Sequence, residues 1–100
     1  MIVADFDNGD DLFGYLRQNP VDIILMDIHL PASNGLDLAE RVKESFPDVK
    51  VIMHTMSEDN LNKEKAKVIG AEGYVLKNYG QKELEKALEM VSEGSSYYSI

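Results

Sequence analysis

Three polar side chains stand at the ends of apolar runs: Asp27, Thr55 and Lys77. A carboxylate, a hydroxyl and an ammonium gathered around one point suit phosphoryl transfer. The carboxylate serves as nucleophile or metal ligand, while the hydroxyl and the ammonium bind the charged equatorial oxygens. Taken singly, each has a plainer reading. Asp27 would cap a helix or start a turn, Thr55 would end a strand, and Lys77 would sit in solvent. Their shared placement, with Pro31 and Gly35 beyond Asp27, carries the chemical reading. His29 and His54 suggest a metal, but no third ligand stands at zinc spacing.

The elements that must position these groups follow from the pattern. An almost unbroken apolar run over 21–26 reads as a parallel strand covered on both faces. In open α/β sheets the working groups sit just beyond the carboxyl ends of such strands, where Asp27, Thr55 and Lys77 all fall. Strands are expected over 2–6, 21–27, 49–55 and 73–77. Helices are expected from Asp10 or Asp11 to 18, and over 36–46, 58–69 and 81–92. Asn8 and Gly9 make a turn, Pro47 and Asp48 end the second helix, and Gly70 closes the third. The third helix is poor in large apolar residues. The last places Leu84, Ala87, Leu88 and Val91 at helical spacing, the best amphipathic signal in the chain. Residues 94–100 read as a polar and aromatic tail. Alternating strands and helices imply a parallel sheet with helical crossovers.

Composition narrows the classes. One hundred residues make one domain, and 44% apolar with 28% charged residues is ordinary for a globular chain. The absence of cysteine excludes disulfides and thiolate metal sites and leans towards the cytoplasm. No run reaches membrane-spanning length, and the first residues are not a signal peptide. A net charge of −8 argues against direct contact with a nucleic-acid backbone.

Spacing and motif together resemble the receiver domain of bacterial response regulators, the CheY-like fold. The likeness rests on Leu25, Met26 and Asp27 with Pro31 and Gly35 beyond, on Val51 to Thr55, and on Gly70 to Lys77. It covers essentially the whole chain. The resemblance implies a flavodoxin-like, three-layer α/β fold with a parallel sheet. It implies that Asp27 accepts a phosphoryl group from a histidine kinase, and that Asp27 and the main-chain carbonyl of His29 help hold Mg²⁺. Thr55 would bind a phosphoryl oxygen and move towards it. Lys77 would pair with Asp27 before phosphorylation and with the phosphoryl group afterwards. Tyr74 matches an aromatic switch that turns inward, a bistable element biased by new charge. Met56 stands where the family commonly has a smaller residue, and its bulk would either restrict hydrolytic water or serve packing. The Lys77–Asn78 junction and the ending over 93–99 resemble the branch that carries a LuxR-type DNA-binding domain, so DNA would be met only through a domain outside this chain.

Against the family pattern the first β-α unit is missing, about thirty residues including an acidic pair that completes the Mg²⁺ site. The family strand order is 2-1-3-4-5, so its loss would leave a gap of about 9–10 Å within the sheet. Three resolutions are expected: a longer natural chain, a second chain swapped into the slot, or the 2–6 strand moving beside 21–27. In the third, Asp5 and Asp7 would stand in for the acidic pair. One sheet face would keep only the final helix, exposing apolar surface and favouring self-association through a two-fold interface. Two functions follow: a phosphoacceptor switch with a transcriptional output, or a non-phosphorylated dimerisation and interaction module. An aspartyl-phosphate hydrolase is set aside, because His29 occupies the position where its second Asp would stand.

Overall fold

A computed structural model of the chain describes residues 2–6, 9–30 and 33–100. Strand β1 (Val3–Phe6) leads through helix α1 (Gly9–Gln18) into β2 (Ile23–Met26), whose four residues are all buried. A small antiparallel ladder, β3 (His29–Leu30) and β4 (Ser33–Asn34), follows Asp27 and feeds α2 (Gly35–Ser45). Then come β5 (Lys50–Thr55), α3 (Asn60–Ile69), β6 (Gly73–Leu76), a 3₁₀ turn over Lys77–Tyr79, α4 (Gln81–Ser92) and β7 (Tyr97–Tyr98).

Local chemistry sets the boundaries. Asn34 caps α2 by accepting the Leu36 amide at 2.8 Å, and Asp59 caps α3 by accepting the Leu61 amide at 2.9 Å. Gly70 closes α3 at φ 87°, a left-handed conformation that an L side chain resists. Lys43 satisfies carbonyls beyond the end of α2, donating to Val49 at 3.0 Å and to the Glu72 carboxylate at 2.7 Å. The expected cap at Asp10 or Asp11 is corrected, because α1 begins at Gly9 and both residues lie inside its first turn.

The sheet is parallel, with order β1-β2-β5-β6-β7. Alternate residues of each strand serve opposite faces. On one face, Leu12 and Leu16 of α1, Leu38 and Val42 of α2 and Ala66 of α3 pack on Ile24, Met26, Val51 and Met53. On the other, Leu84, Ala87 and Val91 of α4 cover Ile23, Leu25, Ile52 and Val75. Strands β1, β2, β5 and β6 are laid down in chain order across the sheet. Their three connections therefore step the same way, and one hand puts α1, α2 and α3 on one face. The step from β6 to β7 continues in that direction while α4 crosses the opposite face, so this connection has the opposite hand. A two-residue edge strand held by its tyrosines tolerates that.

Two expectations change. The sheet has no gap: β1 lies directly against β2, with Val3 beside Ile23 and Phe6 beside Met26, the third of the three resolutions. Unpaired backbone along two facing strands would be too unfavourable to bury. The tail is not merely a tail, because Tyr97 and Tyr98 add a fifth strand on β6. One sheet face does keep α4 alone, and among the described residues the large apolar side chains exposed on the sheet are Ile2 and Val3, on its β1 side. No helix among the described residues is long and apolar enough to cross a membrane.

Candidate phosphoacceptor site

Parallel strands bring the carboxyl ends of β2, β5 and β6 to one edge, and the three groups far apart in sequence meet there. The Lys77 ammonium donates to Asp27 Oδ2 at 2.7 Å. The main-chain amide of His29 donates to Asp27 Oδ1 at 3.1 Å, a consequence of the turn that starts β3. Thr55 stands close enough to help lower the Asp27 pKa. Burial pushes the Asp27 carboxyl up, but Lys77, the His29 amide and Thr55 together hold it below its ordinary 3.8. Asp27 is therefore an ionised, partly exposed carboxylate near neutral pH, held by the Lys77 ammonium and the His29 amide.

Gly35 explains how the Asp27 backbone reaches this place. Its amide donates to the Ile28 carbonyl at 2.8 Å, and a Cβ at position 35 would stand 1.7 Å from the Asp27 carbonyl oxygen. Only glycine lets the start of α2 approach so closely.

Thr55 is fully buried, and its Oγ1 accepts the Ser57 amide at 3.2 Å. The Ser57 carbonyl in turn accepts the Tyr74 hydroxyl at 2.7 Å. Tyr74 is fully buried, with its ring turned inward and stacked on Tyr98, centroids 6.1 Å apart. Burial pushes its hydroxyl pKa up, and the hydrogen bond to Ser57 opposes the shift. Sequence reasoning missed Ser57 because its contribution is main-chain, and it missed Tyr98 because a tail tyrosine carries no positional signal. Met56 is 61% exposed, so the packing reading for it falls away. Among the described residues His54 belongs to no group of three His, Cys, Asp or Glu side chains that could hold a metal. Burial lowers its pKa, as does the Lys77 charge, while Asp5 and Asp27 pull the other way.

The donor set fits Mg²⁺ only in the modest sense that this ion allows. Mg²⁺ keeps several waters and takes one or two carboxylates. Among the described residues no three His, Cys, Asp or Glu side chains cluster as ligands, and it is the family resemblance that points to the Asp27 carboxylate and the His29 carbonyl. Asp5 sits beside Leu25, two residues short of Asp27, which puts the two backbones about 8 Å apart by parallel-strand spacing. Asp7, the other half of the expected replacement pair, lies outside the described residues.

The sequence profile of the response regulator receiver domain matches residues 1–89. The chain belongs to the response regulator receiver family. The receiver domain is 33% identical over 96 residues to the response regulator UvrY of Escherichia coli K12, spanning 96% of this chain and 44% of UvrY. It is 31% identical over 96 residues to the transcriptional regulatory protein DegU of Brevibacillus brevis, spanning 96% of this chain and 41% of DegU. The chain thus spans under half the length of these relatives. The isolated REC domain of RcsB from Salmonella enterica serovar Typhimurium, solved with phosphomimetic BeF3⁻, superposes with a TM-score of 0.86. That match has 18% identity and covers 97% of this chain and 91% of the RcsB domain, so it speaks for the fold alone. The receiver fold expected from the residues is the fold found.

Proposed function

We propose that Asp27 is the phosphoacceptor of a two-component signalling switch, receiving its phosphoryl group from a histidine kinase in the cytoplasm. The observation carrying this reading is the Asp27 carboxylate held by Lys77 at 2.7 Å with Thr55 and the His29 amide around it. An Asp27 oxygen attacks the phosphorus of a phosphohistidine. A P–O bond forms as the P–N bond breaks, and the leaving imidazole keeps the electron pair and takes a proton from solvent. The Asp27 carboxylate and the His29 carbonyl would hold Mg²⁺, which would supply neutralisation of the transferring charge. Lys77 passes from the carboxylate to a phosphoryl oxygen, and the Thr55 hydroxyl turns to a second. Because Thr55 also holds the Ser57 amide, its movement reaches Tyr74 through the Ser57 carbonyl. The output is transcriptional, by likeness to DegU, and DNA contact belongs to a domain outside this chain.

Self-association belongs to this reading at the β1 edge, where the outermost strand of the sheet carries the exposed Ile2 and Val3. Sedimentation should show a dimer that Val3→Lys dissolves.

Intact-mass spectrometry with a small phosphoramidate donor and Mg²⁺ tests the acceptor. One phosphoryl adduct, absent from Asp27→Ala, is expected. A folded chain that takes none would instead be the non-phosphorylated interaction module.

A further inference from the structure

Helices α2 and α3 lie side by side on the same face of the sheet, and a groove of about 410 Å³ runs between them. Leu36 and Ile69 form its floor, buried and half-buried respectively. Along its α3 wall stand Leu61, 60% exposed, and Val68, 85% exposed and the most exposed large apolar side chain among the described residues. They are seven positions apart, two helical turns, so they share one stripe. A helix that needed them only to fold would have turned them inward.

The rim decides what chemistry fits. Asp37 and Glu40 on α2 and Glu64 on α3 face the groove, with Lys65 as the one cation in its lining. Among the described residues no ion pair neutralises Asp37 or Glu40, and Glu64 has only the exposed Lys67 at 3.9 Å. Three carboxylates against one ammonium, around an apolar floor, select a cationic and amphipathic partner. A second copy docking here through a two-fold contact would set Asp37, Glu40 and Glu64 against their own equivalents, so this face is disfavoured for self-association.

We propose that the α2/α3 groove is a docking site for a basic amphipathic helix of a partner protein. Its apolar residues seat against Leu61 and Val68, and its arginines or lysines meet Asp37, Glu40 and Glu64. The site is preformed and does not depend on the reading of Asp27, so the two stand or fall separately.

The test uses a labelled synthetic peptide of about sixteen residues, with leucines at i, i+3, i+4 and i+7 and arginines on the flanks, and a twin bearing glutamates instead. Fluorescence anisotropy should show the arginine peptide bound and the glutamate twin not. The Leu61→Glu, Val68→Glu double variant should weaken binding roughly tenfold or more, and Asp37→Lys with Glu40→Lys should weaken it and flatten its salt dependence. Both pairs are solvent-facing, so circular dichroism should show the fold retained. Glu85→Lys, on the opposite face, should leave binding unchanged. Amide chemical-shift changes should run along α2 and α3. The proposal is overturned by a failure of the arginine peptide to bind, by equal binding of both peptides, or by shifts confined to another face. Sedimentation showing a dimer of the chain that Val68→Glu dissociates would assign the groove to a second copy and also overturn it.

Discussion

At the residue scale the site is an electrostatic balance around one carboxylate. With Lys77 replaced by methionine, burial is opposed only by the His29 amide and Thr55, so the Asp27 titration followed by carbonyl NMR should move up from its place below 3.8. Because the folded carboxyl titrates below the unfolded one, its stabilisation is present above the unfolded value and is lost as pH falls through the folded one. Lys77→Met should therefore reduce the fall in stability on acidification, and an unchanged profile would refute the pairing. Gly35 is a steric case. An alanine Cβ 1.7 Å from the Asp27 carbonyl oxygen must displace backbone, so Gly35→Ala should lose about 2–3 kcal/mol in urea unfolding and reduce phosphoryl uptake. The sequence marks Gly35 as a loop glycine. That its partner is the main chain of Asp27 became visible only when α2 was seated.

The element scale belongs to β7. Tyr98 donates its hydroxyl to the Ala71 carbonyl at 2.8 Å and stacks on Tyr74, while Ser99 donates its amide to the Tyr74 carbonyl at 2.9 Å. Tyr97 hydrogen-bonds the Glu83 carboxylate of α4. The short strand thus fastens to β6, which bears Tyr74 and leads directly into Lys77. Burial, then the charges of Glu72 and Glu64, pushes the Tyr98 hydroxyl up to about 12. A raised phenol pKa contributes stability that is whole below the ordinary value of 10 and fades as pH rises towards 12. Absorbance titration should find a tyrosine ionising near 12, missing in Tyr98→Phe, with alkaline unfolding in the same window. Period-two and period-3.6 patterns made β2, β5, β6 and α4 legible, because apolar runs and stripes are local. The pairings of β7 and of the β3–β4 ladder were illegible, since two-residue strands carry no period, and β7 exists only through a partner distant in sequence.

At the scale of the whole molecule, the faces of the sheet are unequally covered. Three helices share one face and α4 alone covers the other. Leu84, 8% exposed against β2, β5 and β6, has no neighbouring helix to fill its place. Leu84→Ala should lower unfolding free energy by about 2–4 kcal/mol. Leu61→Ala, on the exposed stripe of α3, should change it by no more than about 0.5 kcal/mol. Equal losses would contradict the burial pattern.

The sequence alone determined the alternation of strands and helices, the parallel sheet, and the placing of Asp27, Thr55 and Lys77 at strand ends. Hydrophobic period and turn chemistry are properties of neighbouring residues. Tertiary structure decided that β1 lies directly against β2, that Ser57 joins Thr55 to Tyr74, and that the tail completes the sheet. Each depends on backbone groups finding partners at long range, and a backbone amide or carbonyl is the same in every residue but proline, so its choice of partner is not written in side-chain type.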